Sequence, residues 1–251
     1  MPDGAERADD AGSLDGRRKR WQEHNLTRRQ VIIDAAIAVI ERQTPGDEVH
    51  VQAVADEANM SRTVIYRHFT DRADLDRAVQ RQICDDVGAH LLGALTPEGT
   101  AEEIVQRIVS AFVEWAVQHP TLFWFAQREL GDWGNSPLAE TIEAVAVQIE
   151  AIMDTVVQAL GAQLEPMDKA GLDPWVFGMI GAVFAAIQRW LNRPTREPDV
   201  AAFKRILSQT VWVQIDGMAR TRGIAVPADA SVADLLAGLG DGDDGEVTAP
   251  A

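Results

Sequence analysis

The sequence predicts an all-α protein. Three observations carry that reading: apolar residues recur at helical spacing nearly everywhere, no convincing alternating strand of five or more residues occurs, and Pro- or Gly-bearing breaks cut the chain into helix-length pieces. With 251 residues, 46% hydrophobic and 25% charged, the chain can build one large or two small domains with a real core.

Taken in order, the pattern places an arm over 1–20, expected to be mobile, because its Asp-, Gly- and Ala-rich start has no face to bury and it ends in Arg17-Arg18-Lys19-Arg20. A first amphipathic helix over about 27–43 follows, with Thr27 as N-cap and Ile32, Ala35, Ala36, Val39 and Ile40 on one stripe. Thr44-Pro45-Gly46-Asp47 ends it. Two short apolar-patterned segments come next, Val51, Val54, Ala55, Ala58 and then Val64, Ile65, Tyr66, Phe69, separated by Asn59-Met60-Ser61. Two short helices joined by three residues are a helix-turn-helix in outline, so 21–71 reads as a DNA-binding domain of three helices. A connecting helix over 72–92 carries Leu75, Val79, Ile83 and Val87 in an i+4 row. The larger body, 93–222, gives helices near 100–118, 120–131, 137–160, 174–192 and 199–222, the fourth started by Asp173 as cap and Pro174 at the first helical position. Residues 223–251 read as a largely mobile tail in which Val232 to Leu239 can dock as a short turn of helix.

The formal net charge of −16 argues at first against nucleic acid. Its distribution reverses the argument: residues 17–82 hold 12 basic and 10 acidic side chains, whereas 83–251 hold 10 and 24. The helix-turn-helix is thus the locally basic part of an acidic chain, and the body should repel DNA from other faces. Cys84, the single cysteine, cannot form an intrachain disulfide, and the N-terminus lacks the apolar stretch of a signal peptide, so a reducing cytoplasm is expected. The longest apolar run, Val176 to Ile187, is shorter than a membrane span of roughly 18–20 residues and reads as a buried helix, with no membrane partner.

A helix-turn-helix needs small residues where its helices approach, a turn residue tolerant of positive φ, and a polar outward face on the second helix. Ala55 and Ala58 supply the first, Asn59 the second, and Ser61, Arg62 and Thr63 open the third. Backbone N–H groups and the hydroxyls of Ser61 and Thr63 there suit a phosphate. Arg28 and Arg29 sit in the first turn of their helix, where they oppose its dipole by up to about 1 kcal/mol each, a cost that a phosphate reverses. The basic run at 17–20 is placed to enter a minor groove or lie on phosphates.

From about Thr27 to Val79 the chain resembles the TetR family of transcriptional regulators, in which the helix-turn-helix continues through Tyr-x-His-Phe into a fourth helix. Here that reads Tyr66-Arg67-His68-Phe69-Thr70-Asp71-Arg72-Ala73-Asp74-Leu75. The resemblance implies that Tyr66 and His68 touch phosphates, that Phe69 plugs the small core, and that Arg72 stands where a phosphate-contacting Lys is usual. Asn59 replaces a turn Gly, Thr63 replaces a Gly within the recognition helix, and His50 stands where a hydroxyl residue usually starts the second helix. The expected DNA-contacting set is therefore Arg28, Arg29, His50, Ser61, Arg62, Thr63, Tyr66, Arg67, His68 and Arg72.

Six of the seven tryptophans lie in the acidic C-terminal part. The run Leu122-Phe123-Trp124-Phe125 cannot all face one side of a helix, so part of it must meet a cavity, a second subunit or solvent. That surplus suggests a pocket for a small apolar effector, with Trp115, Trp124 and Phe177 as lining and Gln127 and Gln148 as polar anchors. The last two long helices are apolar over wide arcs and suit a homodimer, the state that presents two recognition helices to successive grooves. No metal-ligand spacing among the five histidines, no nucleophile elbow and no phosphate loop is found, so no enzyme, metal or cofactor is expected. The sequence thus predicts a ligand-responsive DNA-binding regulator, most readily a repressor. The alternative is an all-α ligand-binding or interaction protein with a vestigial helix-turn-helix.

Overall fold

The computed structural model describes residues 25–128 and 136–240, and these are helical with no strand among them. The basic run at 17–20 lies outside the described residues. Ten helices follow in order: α1 over 25–41, α2 Val51–Glu57, α3 Arg62–His68, α4 Arg72–Ala94, α5 Ala101–Gln118, α6 Pro120–Ala126, α7 Pro137–Ala159, α8 Pro166–Leu191, α9 Val200–Thr221 and α10 Val232–Gly240. They divide into two compact units, the first up to Ile83 together with Thr121–Arg128, the second the remainder.

The first unit is the helix-turn-helix domain. Ile32, Ala35, Ala36, Val39 and Ile40 of α1 are buried as their stripe requires, with Val54 and Ala55 of α2, Ile65 of α3, Phe69, and Leu75, Val79 and Ile83 of α4. The start of α4 is held by its own side chains: Asp71 Oδ1 accepts from Asp74 N at 2.8 Å, and Asp74 Oδ2 accepts from Thr70 N at 2.9 Å. These bonds satisfy donors that a helix N-terminus leaves open.

Three expectations about organisation are corrected. The domain boundary falls inside α4, between Ile83 and Cys84, and the segment Thr121–Arg128 belongs to the helix-turn-helix unit rather than to the body. The buried Gln80 ties it there, its Nε2 donating to Arg128 O at 2.7 Å and Phe125 O at 3.2 Å. Secondly, α8 begins at Pro166, with Glu165 at its N-cap, and Pro174 lies inside the helix instead of at its first position. Both prolines follow an acidic residue in sequence, and only the first coincides with the end of a loop. Thirdly, residues 223–240 are docked. Ile224 and Val232 are buried, α10 packs on α7, and the amides of Val232 and Ala233 donate to Gly99 O and Pro97 O, each at 2.9 Å.

The second unit is a helical body in which α5 packs on α9 and α8, and α7 on α8. Thr100 and Glu103 form a reciprocal capping box at the start of α5. The Trp190 and Phe203 rings stack at 4.6 Å, and the indole N–H donates to Pro198 O at 2.9 Å, fixing the α8–α9 turn. Gly88 lets α4 approach α7 closely, since a Cβ there would lie 2.9 Å from Thr141 Cγ2 and that side chain would have to shift.

The expectation of a buried helix at Val176–Ile187 is corrected too. By length and composition α8 is apolar enough to cross a membrane, yet only 17% of its most apolar stretch is buried within the chain. Phe177, Gly178, Ala182 and Ala185 leave one face of α8 open, while α9 exposes Ile206 and Val213.

Candidate nucleic-acid interface

The helix-turn-helix is built on a turn that only a few residues can make. After α2, Asn59 adopts φ 51°, Asn59 N donates to Asp56 O at 3.1 Å, and Met60 N donates to Ala55 O at 2.9 Å. This pair of bonds closes a left-handed C-terminal cap, the conformation for which Asn is the best substitute for Gly. Replacing Asn59 by Gly should leave stability unchanged or raise it by a few tenths of a kcal/mol, whereas Ala should cost on the order of 1 kcal/mol. Thermal melting of the two variants checks the ordering.

The turn sets α3 with Ile65 fully buried and Val64 partly so, which leaves Arg62, Thr63, Tyr66 and Arg67 exposed on the opposite face. Ser61, at the N-cap of α3, makes no side-chain cap bond, and neither does His50 at the N-cap of α2. Both side chains are exposed. Arg28 on α1 is exposed as well.

Three of the expected contacts sit differently. Arg29 stands 4.0 Å over the Phe69 ring, donates to His68 O at 2.6 Å and faces Asp74 at 3.6 Å. Arg72 donates through Nε to Asp76 at 2.8 Å and through Nη1 to Val49 O. These two guanidiniums pin the end of α3 and the entry to α2 against the frame. His68 is half-buried, and burial first, then the charges of Arg28 and Arg29, hold its imidazole below the usual 6.5.

The His68 shift has a sign. In the unfolded chain the imidazole binds a proton at its ordinary value of 6.5, more readily than in the fold, so stability is full above that pH and falls as pH drops toward the folded value. His68→Gln should flatten that part of the profile, visible as a smaller loss of melting temperature between about pH 7 and pH 5.5 than in the parent chain. An equal loss in both chains would show that the imidazole contributes nothing there.

The residues expected to line an effector pocket are divided between the two units. Trp124 and Gln127 belong to the helix-turn-helix unit, where the Gln127 amide is buried and donates to Phe123 O at 2.6 Å. Trp115, Gln148 and Phe177 lie in the body: Trp115 tilts against His119 at 5.7 Å, and Gln148 and Phe177 are exposed on α7 and α8. Sequence reasoning missed Gln80 as the clamp on α6. Its one signal was a polar side chain next to the buried row Leu75, Val79, Ile83.

Residues 32–79 match the family model described as bacterial regulatory proteins, tetR family. Two HTH-type transcriptional regulators from strains of Mycobacterium tuberculosis, MT0489 and Rv0472c, are each 26% identical over 186 residues, covering 74% of this chain and 76% of the relative. Among solved structures, a tetR-family transcriptional regulator from Streptomyces coelicolor shares the fold with a TM-score of 0.57 at 21% identity, covering 87% of this chain and 95% of that one. FadR from Bacillus subtilis, solved in complex with stearoyl-CoA, gives 0.52 at 19% identity, covering 72% and 96%.

Proposed function

We propose that this chain, whose residues 32–79 match the model of the tetR family of bacterial regulatory proteins, is a regulator of that family and a ligand-responsive repressor released from its operator by a small apolar effector. The observation that carries the DNA-binding part is the face of α3. Arg62, Thr63, Tyr66 and Arg67 project together from a helix anchored by Ile65, and the Ser61 side chain beside them makes no cap bond. Such a face can reach base edges while Arg28, His50 and His68 lie on phosphates. Arg29 and Arg72 hold the frame that presents it.

Release follows from a shift between two arrangements of the body with different effector affinity. Trp115, Gln148 and Phe177 are the body's members of the effector set. A fold neighbour, FadR of Bacillus subtilis, was solved in complex with stearoyl-CoA, which supports an effector with apolar character. The chain passes between the body and the helix-turn-helix unit three times, at Ile83–Cys84 in α4, at Pro120–Thr121 in α6 and after Arg128, so a change in the body has three covalent routes to that unit. The acting species is a homodimer, paired through the open apolar faces of α8 and α9. It works in the cytoplasm, where its operator is.

Selection of bound fragments from a random duplex pool, followed by titration of the selected duplex against salt, tests the reading. A dimer contacting some 6–10 phosphates should lose affinity with a log–log slope of about −5 to −9. Undetectable or salt-independent DNA affinity would overturn it in favour of a helical ligand-binding or interaction protein with a vestigial helix-turn-helix.

A further inference from the structure

The acidic body concentrates its free positive charge at one corner. Lys169, Lys204, Arg220 and Arg222 are each paired with a carboxylate, and Arg107 is held by the carbonyls of Ala94, Thr96 and Glu98. The body's other cations, Arg189, Arg193, Arg196 and Arg205, are all exposed, and among the described residues none of them meets a carboxylate. All four belong to the corner where α8 turns into α9. Residues 189–205 hold five basic side chains and two acidic ones, against 10 and 24 over the whole of 83–251.

The corner is a built one. Beside the Trp190–Phe203 stack, Arg193 Nη1 donates to Glu197 O at 2.6 Å, the Arg196 guanidinium lies 5.9 Å from the Trp190 ring centroid, and Asp199 caps α9 by accepting from Ala202 N at 2.8 Å. The C-terminal dipole of α8 suits a cation at 189 or 193. It has no use for Arg196, out in the turn, or for Arg205, in the second turn of α9. The corner also lies close to where the chain leaves the body. Lys204, next to Arg205, pairs with Glu114 of α5, and from there to Pro120, beyond which the chain belongs to the helix-turn-helix unit, is about 9 Å at helical rise. A body that otherwise repels a polyanion thus keeps its unpaired guanidiniums, the groups best shaped for phosphate, beside that exit.

We propose that Arg189, Arg193, Arg196 and Arg205 form an auxiliary DNA contact, a second surface that lies on backbone phosphates of the duplex read by α3. The proposal rests on the DNA-binding reading above and deepens it. Such a contact carries no base information and adds affinity to any duplex.

The test is titration of the selected operator against salt, with light scattering and thermal melting on the same chains. Replacing all four arginines by Gln should make the log–log slope shallower by about two, the share of one phosphate per subunit, and weaken binding at about 0.1 M salt by on the order of 10- to 100-fold. Arg189→Gln with Arg205→Gln, a pair that breaks no bond of the fold, should give at least half of that slope change. Lys169→Glu with Arg220→Glu shifts the net charge by the same amount at the far ends of these two helices, and should keep the parent slope. A parent that binds with steep salt dependence beside a fourfold variant of equal slope, or an equal loss in the Lys169–Arg220 control, would overturn the contact and leave the role of α3 standing. A change of mass in place of a change of slope would overturn it too, making the corner a contact between copies. A parent without DNA affinity would remove the regulator reading and this proposal together.

Discussion

Replacing Arg62 and Tyr66 together by Ala should lower affinity for a selected operator by on the order of 1000-fold or more while leaving the melting temperature almost unchanged. Both side chains are exposed on α3 and neither supports the core, which rests on Ile65 and Phe69. Each contact to a base or phosphate is worth roughly 1–3 kcal/mol, and a dimer loses each of them twice. Two arginines of α1 sharpen the test because the fold uses them differently. Arg28→Ala should weaken binding to all duplexes alike and make the salt slope shallower by about one per half-site, with little change in stability. Arg29→Ala removes a cation over Phe69 and a donor to His68 O, so its main effect should be a stability loss of about 1–2 kcal/mol. Gel shift and thermal melting on the same preparations separate the two. If the double variant binds its operator as the parent does, α3 is not the reading helix.

The contrast between Arg28 and Arg29 shows where the sequence was informative and where it stopped. Helical spacing found α1 to α4 because each buries a simple stripe, and the turn at Asn59 was legible because few residues tolerate its φ of 51°. The exposed members of α3 followed from knowing which of its residues must face inward. Arg28 and Arg29 have the same chemistry and adjacent positions, and only three-dimensional packing puts one of them on Phe69. Arg72 is a similar case, spent on the Val49 carbonyl and Asp76. The aromatic run Leu122 to Phe125 was correctly read as too rich for one helix face. Its destination, the helix-turn-helix unit rather than the body, depends on long-range contacts such as Gln80 to Phe125 O that periodicity does not encode. The start of α8 went astray for a local reason, since Glu165-Pro166 and Asp173-Pro174 offer nearly the same start signal.

The open face of α8 yields the second large effect: Ala182→Arg should convert the protein from dimer to monomer and reduce operator affinity by on the order of 100- to 10,000-fold. From Pro174 to Gln188 the helix carries no charge for 15 residues, and Phe177, Gly178, Ala182 and Ala185 leave that stretch open along one side. On α9, Ile206 and Val213 are 53% and 61% exposed. Two such helices meeting a copy of themselves make a four-helix interface in which small residues let backbones approach and the larger apolar ones fill between them. A membrane is the competing explanation for an apolar, poorly buried helix. Although the whole 26-residue helix is long enough to span, its uncharged run covers only roughly 22 Å at 1.5 Å per residue, short of the roughly 30 Å hydrocarbon core. A guanidinium at position 182 would be buried twice across a two-fold interface without a partner, which removes pairing rather than weakening it. Monomers then engage half-sites independently and forfeit the effective concentration that joins two weak contacts into one strong one. Light scattering with size exclusion reads the mass, and operator titration reads the affinity. A parent chain that is monomeric at micromolar concentration would remove the dimer altogether, and an Ala182→Arg chain that stays dimeric would place its contact somewhere other than α8.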